Sequence, residues 1–340
     1  MTISEVFLFA FDAVMPIVLL ILFGWVLRRI KFINDSFLQT ANKLVFRILL
    51  PLLLFYNVYN IKDLGEIQWS SVLFAVAVIV LLFVAGLICC NLLTRDRRQK
   101  GVLWQAFYRS NFAIIGIPLA GALGGDEGVA VASILSAFSI PLFNALAVIS
   151  LSVYTASEDK NKIDIKEILL KIIKNPLIIG VALGFVVLGV RKLIPVDSDN
   201  VSVFTIRNNL PFVYETLGMI AGITSPLALI VLGGRFRFSA ISRMKLQVAG
   251  GTVARIIFAP LAGIALCYSA EKAGFAVFSA GHYAAFLALF GSPVAVSSAI
   301  MASQMDNDAE LADQILVWTS VFSILTVFCF VVILKNIGLI

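Results

Sequence analysis

Long runs of apolar residues constrain this chain more than any other feature of its sequence. A run of about 20 apolar residues can cross the hydrocarbon core of a bilayer as a helix. With 60% hydrophobic and only 14% charged residues, the chain has too few charges to cover a water-facing surface. The apolar runs occupy residues 5–27, 37–58, 70–93, 102–123, 128–154, 174–190, 211–234, 246–268, 274–304 and 312–335. The sequence therefore predicts an all-α integral membrane protein with ten transmembrane spans.

The positions of the charges, cysteines and histidine argue against several other classes of protein. The charges separate the apolar runs instead of forming one basic face, so no nucleic-acid partner is expected. All four cysteines lie inside apolar runs, which predicts no disulfide framework, no metal site and no cofactor. One histidine and scattered cysteines do not make a catalytic constellation, so the chain is not expected to be an enzyme. The first run lacks a basic segment before it and a cleavage site after it, which favours a span over a signal peptide.

The lysines and arginines predict the orientation of the spans. Most of the 26 lie at 28–31, 94–100, 160–174 and 235–245, which fall on one side of the membrane if the N-terminus is outside. Cytoplasmic loops carry an excess of these residues. We therefore expect a multi-pass protein of the cell inner membrane with both termini outside.

The two halves of the chain share a pattern of prolines and glycines. Equivalent residues are Pro51 and Pro226, and Pro118 and Pro293, at an offset of 175; Pro16 and Pro176, and Gly24 and Gly184, follow at an offset of 160. Because five spans is an odd number, the second copy enters the membrane from the opposite side. Such inverted repeats are common in secondary transporters. We predict a first five-helix repeat at 1–155, a short cytoplasmic linker at 156–173, and a second, inverted repeat at 174–340.

Two Gly-x-Pro segments predict where the spans are broken. Gly116-Ile117-Pro118 in span 4 and Gly291-Ser292-Pro293 in span 9 occupy equivalent positions. Proline removes a backbone hydrogen bond and clashes with the preceding turn. Freed backbone groups at this depth are tolerated only next to protein or a water-filled cavity, and half-helix N-termini favour an anion there. A plain proline kink in each helix is the alternative.

Polar residues beside these segments are the candidates for binding an anion. Asn111 lies two turns before Pro118 and offers both a donor and an acceptor, although it could instead bond a neighbouring helix. Ser297 and Ser298, a turn beyond Pro293, could bond the carbonyls of their own helix. The adjoining Ser110 and Val294 complete this group.

Several charged or titratable residues lie inside the predicted spans. Arg47 and Arg255 lie near mid-depth and either attract an anionic substrate or have a structural partner. Lys43 and Arg109 lie nearer the inner face, where we expect them to snorkel. Asp12, Glu215 and His282 fall in the outer parts of their spans. His282 is either a hydrogen-bonded histidine or part of a proton relay.

With these residues in view, the chain resembles the auxin efflux carrier family in its short bacterial form, over essentially its whole length. The motifs that carry the resemblance are Asn42-x8-Pro51-Leu-Leu-Leu-Phe55, Ser110-Asn111-Phe112-x3-Gly116-Ile117-Pro118-Leu119, Asn175-Pro176-Leu177, Pro226 to Gly234, and Gly291 to Gln304. Each motif is weak alone, but their order and spacing are specific.

The resemblance implies ten helices in which spans 4 and 9 cross at their prolines. Spans 1, 2, 6 and 7 would form a scaffold, spans 3–5 and 8–10 a moving transport domain, and two scaffolds would join in a homodimer. Plant relatives move indole-3-acetate, and bacterial relatives are associated with malate, malonate and similar carboxylates. Asn111, Pro118 and Pro293 match the substrate-proximal positions. Span 3 lacks the acidic residue that some plant relatives place there, which leaves H+ or Na+ coupling open.

We therefore predict a secondary transporter of small organic anions that works by an elevator mechanism. The alternatives are a sodium-coupled symporter of the bile-acid type and a membrane sensor that does not transport. The expected substrate-binding residues are Ser110, Asn111, Gly116, Ile117, Pro118, Arg255, Gly291, Ser292, Pro293 and Val294, with Asp12, Asn42, Arg47, Glu215, His282 and Ser297 as further candidates.

The predicted topology can be checked by labelling single cysteines in a cysteine-free variant. Cysteines introduced at Ser157 and Asp197 should react with an impermeant reagent from opposite sides of the membrane, because span 6 lies between them. Reaction of both from the same side would contradict the topology and the inverted repeat together.

Overall fold

A computed structural model gives the fold of this chain, which is 86% helical. It describes residues 3–60, 68–155, 170, 173–193, 204–236 and 240–340. Most of the predicted linker at 156–173, together with Ser157 and Asp197, lies outside the described residues. No β-strand occurs in the described part, so the predicted all-α class is confirmed.

The helices are numbered in chain order. They are α1 (Ile3–Arg29), α2 (Asp35–Leu44), α3 (Leu50–Tyr59), α4 (Trp69–Leu93), α5 (Arg97–Tyr108), α6 (Ile117–Val153), α7 (Pro176–Leu193), α8 (Ile206–Asn209), α9 (Pro211–Arg235), α10 (Ala240–Arg243), α11 (Lys245–Val253), α12 (Ala259–Lys272), α13 (Ala280–Gly291), α14 (Val296–Gln304) and α15 (Ala309–Asn336). Three π-helical turns within the described residues are π1 (Val45–Leu49), π2 (Phe112–Gly116) and π3 (Ala254–Phe258).

The long helices have the length and apolar composition of membrane spans. Six described segments meet both requirements: Asp35–Tyr59, Trp69–Leu93, Phe112–Val153, Pro211–Arg235, Lys245–Lys272 and Ala309–Asn336. Pro176–Arg191 and Ala280–Gly291 are shorter apolar helices. The chain is therefore a multi-pass membrane protein, and the number ten and the inverted repeat remain predictions.

Helix α6 contains a sharp reversal at Gly125. Its backbone there has φ 60° and ψ −149°, a conformation that side chains disfavour and glycine allows. A Cβ on Gly128 would lie 2.2 Å from the carbonyl oxygen of Ala120, a contact that residues eight apart in a straight helix could not make. The two arms of α6 therefore pack against each other, consistent with the separate apolar runs at 102–123 and 128–154.

Each π-helical turn leads directly into a proline. Pro51, Pro118 and Pro260 each follow a residue whose N–H donates to the carbonyl five residues earlier. The wider turn moves the preceding carbonyls away from the proline ring, which would otherwise clash with them. The helix therefore continues through Gly116-Ile117-Pro118, and the prediction that span 4 is broken there is wrong.

Two other segments are not helical and lie deep in the molecule. Residues 109–111 separate α5 from π2, and residues 292–295 separate α13 from α14. The second interruption contains Pro293, as the sequence predicts. The first lies about two turns before Pro118.

The helices fall into two packed groups. Helices α1, α3, α7 and α9 form the first group. Helices α4, α5, α6, α13, α14 and α15 form the second, in which each helix contacts at least one other member. Contacts between α1 and α15 and between α9 and α14 join the groups. Helix α2 packs against α9, and its Asn42 Nδ2 donates to Ser303 Oγ of α14 at 3.2 Å. The ion pair of Arg235 Nη2 and Asp313 Oδ2 at 3.4 Å also joins the two groups.

Glycines let the backbones of the first group touch. A Cβ on Gly24 would lie 2.1 Å from the carbonyl oxygen of Ile230, and one on Gly233 would lie 1.9 Å from that of Ile21. Between α3 and α7, a Cβ on Gly180 would lie 2.4 Å from the carbonyl oxygen of Pro51. Such close approach is typical of membrane helices with small residues at the interface.

Replacing Gly233 by alanine should destabilise the α1–α9 contact. The new Cβ meets backbone, which cannot move aside like a side chain, so the free energy of unfolding should fall by about 1–3 kcal/mol. Gly222 lies in the same helix with no atom within 4 Å of its Cβ position, and Gly222→Ala should leave stability unchanged or slightly raised. Thermal unfolding in one detergent compares the two variants. Equal melting temperatures would contradict the packing described for α1 and α9.

Candidate functional site

The two interruptions meet and pair through their backbones. Ser110 and Val294 form an antiparallel bridge, and the Asn111 N–H donates to the carbonyl of Pro293 at 2.8 Å. All four residues are buried. Since no lipid group can bond an open peptide, this pairing is what allows both chains to be extended at this depth.

The extended segment after α13 is also held from its side. The N–H of Val294 donates to Thr319 Oγ1 of α15 at 3.3 Å, and the Ser292 hydroxyl donates to the carbonyl of Ala288 at 2.6 Å. Pro293 has no N–H to satisfy, which removes one donor from the buried stretch. Hydrogen bonds to α13 and α15 therefore hold this segment in place.

Helices begin on both sides of the crossing without a side-chain cap. Neither π2, preceded by Asn111, nor α14, preceded by Ala295, has its first N–H groups bonded by a capping side chain. Such open N–H groups carry the partial positive charge of the helix dipole. Both ends therefore favour an anionic group near the crossing.

Arg109 lies at the first interruption and is 1% exposed. One guanidinium nitrogen donates to Gln105 Oε1 at 2.7 Å and contacts Met301 Sδ at 2.9 Å. The other donates to Asn144 Oδ1 at 2.8 Å and to Ser297 Oγ at 2.7 Å. These four partners are neutral, and none of the ion pairs found among the described residues includes Arg109. Its charge is therefore buried and hydrogen-bonded but not neutralised.

A cavity of about 70 Å³ opens beside the crossing, between the two groups of helices. It has room for a few water molecules, far less than the pockets that hold drug-sized ligands. The lining residues are Leu50, Leu53, Leu54, Asn57, Arg109, Ser110, Asn111, Phe112, Ala113, Ile114, Ile140, Phe143, Asn144, Thr224, Ser225, Ala228, Ala295, Val296 and Ser297. Among these residues Arg109 carries the only charge.

Three of the residues expected from the sequence line this cavity. Asn111 and Ser110 do so at the first interruption, and Ser297 does so at the start of α14. No described residue hydrogen-bonds to the side-chain amide of Asn111, and the buried Ser110 Oγ likewise has no partner among them. Both side chains therefore have hydrogen-bonding capacity to offer a ligand.

The Gly-x-Pro residues shape the crossing without lining the cavity. A Cβ on Gly116 would lie 2.2 Å from the Phe112 ring and 3.2 Å from the carbonyl oxygen of Ala288, so glycine there lets π2 approach α13. Ile117 is half-buried and Pro118 is exposed. Gly291, Ser292, Pro293 and Val294 are buried and supply the backbone of the second interruption.

Arg255 lies away from the cavity, in π3. It is buried and donates to the carbonyls of Leu289 and Phe290 at the C-terminal end of α13. A cation at this end of a helix complements the negative end of its dipole. The structure therefore gives Arg255 a partner in the helix that ends at the crossing and no contact with the cavity.

The further candidates are also outside the cavity lining. Asn42 bonds Ser303, and Arg47 and Glu215 are exposed. The ring of His282 contacts Ser279 Oγ through Nδ1 at 2.7 Å in a capping box at the start of α13. Asp12 lies in α1, and its side chain is outside the described residues.

Arg109 and Asn144 are the residues that the sequence analysis missed. The expectation that Arg109 snorkels to the inner face is wrong, because its side chain is enclosed by α5, α6 and α14. A signal was present, since Arg109 directly precedes the Ser110-Asn111 pair. Asn144 stands three residues after Pro141 as an isolated amide in an apolar run.

A comparison with known protein families shows which family the chain belongs to. The model of a family described as membrane transport protein, that of the auxin efflux carriers, matches residues 9–331. The chain belongs to the auxin efflux carrier family. The resemblance predicted from the sequence is thus confirmed, and the family is one of membrane transporters. No curated protein matches this carrier.

The backbone pairing at the crossing can be tested at Asn111. Its φ of −81° suits proline, so Asn111→Pro removes the N–H donor with little other backbone strain. The carbonyl of Pro293 would then be buried without this donor, at a cost of about 1–3 kcal/mol in stability. Asn111→Ala keeps the N–H and should melt close to the unmodified carrier. If both variants melt alike, the backbone bond contributes nothing to stability.

Proposed function

We propose that this carrier moves a small organic anion, a carboxylate such as malate, malonate or an auxin-like acid, across the cell inner membrane by an elevator movement. The observation that carries the proposal is the buried, un-neutralised guanidinium of Arg109 at the cavity beside the crossing. Charged groups inside a membrane protein are costly and mark substrate pathways.

An anionic substrate would remove the electrostatic cost of Arg109. Its four neutral partners satisfy hydrogen bonds but leave the charge itself uncompensated. A carboxylate could exchange with Ser297 or Asn144 as a partner and accept two parallel N–H bonds, a geometry that guanidinium favours. Binding would then be strongest for a ligand that brings a planar negative group into the cavity.

Other groups at the crossing would complete the site. The free amide of Asn111 can donate to the carboxylate, and the open N-termini of π2 and α14 add partial positive charge. Apolar side chains such as Leu53, Phe112 and Phe143 would enclose the rest of the ligand. The small volume of the cavity favours substrates of few atoms.

The position of the cavity supports the elevator proposal. Residues from α3 and α9 form one wall, and the crossing forms the other. We assign α1, α2, α3, α7 and α9 to a scaffold and the remaining long helices to a transport domain that carries Arg109. Sliding this domain would expose the cavity to each side in turn, and the bonds Asn42–Ser303 and Arg235–Asp313 would have to break.

The predicted inverted repeat, at 1–155 and 174–340 around the linker 156–173, fits this arrangement. Gly24 and the equivalent Gly184 both lie in close helix contacts, α1 with α9 and α7 with α3. A pseudo-twofold axis in the membrane plane would relate these two contacts. Both termini outside and a homodimer joined through the scaffold remain part of the proposal.

The coupling ion stays open between H+, Na+ and none. A sodium-coupled symporter of the bile-acid type would need carboxylates close to the crossing, and none lines the cavity among the described residues. No observation favours that alternative or a sensor over the proposed carrier.

The proposal is tested by replacing Arg109 and measuring binding and uptake with malate, malonate and indole-3-acetate. Hydrogen bonds to charged groups contribute about 1.5–3 kcal/mol, so Arg109→Gln should weaken binding about 10- to 100-fold. Arg109→Lys keeps the charge but loses the forked geometry of the guanidinium, so its affinity should lie between those of Arg109→Gln and the unmodified carrier. The readouts are ligand-induced stabilisation of the purified carrier and uptake into liposomes.

The matched control is Arg47→Gln, which removes an exposed arginine in span 2 that does not line the cavity. It should bind and transport like the unmodified carrier. The melting temperature without ligand shows whether each variant is folded. Unchanged binding in folded Arg109→Gln, or a larger loss in Arg47→Gln, would contradict the assignment of the site.

A further inference from the structure

A second, larger groove runs along the outer face of the helices. It has a volume of about 490 Å³ and lies between α15 on one side and α11 with π3 on the other. Its lining residues are Lys245, Val248, Ala249, Thr252, Val253, Ile256, Ile257, Trp318, Phe322, Leu325 and Thr326. None of them lines the cavity at the crossing, so the groove is a separate feature.

The groove is apolar along its length and charged at one end. Lys245 is the first residue of α11 and is exposed, and no hydrogen bond or ion pair joins it to another described residue. The neighbouring Arg243 is already paired with Glu310 at 3.1 Å. A free ammonium group therefore marks the end of the groove that the distribution of basic residues assigns to the cytoplasmic side.

The length of the groove matches one leaflet of a bilayer. Lys245 and Ile257 are twelve residues apart, which is about 18 Å along a helix. Half of the hydrocarbon core is about 15 Å. A lipid with its phosphate at Lys245 would therefore reach the middle of the membrane at Ile257.

We propose that this groove binds one anionic phospholipid of the inner leaflet. The ammonium group of Lys245 would bind the phosphate headgroup, and an acyl chain would lie along Val248, Ile256 and Phe322. Basic residues at the cytoplasmic ends of membrane helices attract anionic headgroups. The alternative occupant is a helix from a second copy of the chain. It would bind through apolar contacts, so the exposed Lys245 at the end of the groove favours a lipid instead. The inference is independent of the substrate proposed for the crossing.

Trp318 provides a reporter, because it lines the groove and is half-buried. The carrier is placed in nanodiscs that contain a small fraction of phosphatidylglycerol or phosphatidylcholine with brominated acyl chains, which quench tryptophan on contact. The signal of Trp318 is the difference between the full chain and Trp318→Phe. Brominated phosphatidylglycerol should quench Trp318 at about a fivefold lower mole fraction than brominated phosphatidylcholine.

Lys245→Gln should abolish this preference, and Lys43→Gln, which removes an exposed lysine outside the groove, should keep it. Added salt should weaken the preference, because the contact is electrostatic. Equal quenching by the two lipids, or a preference that survives Lys245→Gln, would overturn the proposal. So would a Trp318 that neither lipid quenches, the result expected if a second copy covers the groove.

Discussion

The backbone pairing of the two interruptions is the interaction on which the rest of the site depends. Two extended segments inside a membrane expose peptide groups that lipid cannot satisfy, at a cost of several kcal/mol for each group. The bond from the Asn111 N–H to the carbonyl of Pro293 and the bond from the Val294 N–H to Thr319 Oγ1 satisfy part of these groups. Because these bonds hold the chains extended, helices can start at Phe112 and Val296 and direct their N-termini to one place.

Arg109 joins the elements that meet there. Its guanidinium contacts α5, α6 and α14 through neutral acceptors, so it fixes their positions and leaves its own charge available. A structural arginine in a membrane would more often have a carboxylate partner or, as with Arg255, the carbonyl end of a helix. Both arginines lack an ion pair among the described residues, and Arg109 is the one that lines the cavity.

The sequence predicts the membrane class, the interruption at Pro293 and three of the cavity residues, because these depend on composition and local spacing. The sequence predicts the interruption in span 4 about two turns too late, since π2 relieves the clash of Pro118 and no local pattern shows that turn. The sequence does not reveal the place of Arg109, because its partners Asn144 and Ser297 are distant in sequence and lie on other helices. Depth along a span does not reveal which neighbours enclose a side chain.

The uncompensated charge of Arg109 has a consequence for the energetics of the transport cycle. If the crossing moves across the membrane as proposed, the empty site carries one positive charge through the electric field. A site loaded with a monocarboxylate carries none. Moving one charge through 100 mV changes the free energy by about 2.3 kcal/mol. A potential that is negative inside would therefore favour inward movement of the empty site over inward movement of the loaded site, so that voltage would favour export of the anion.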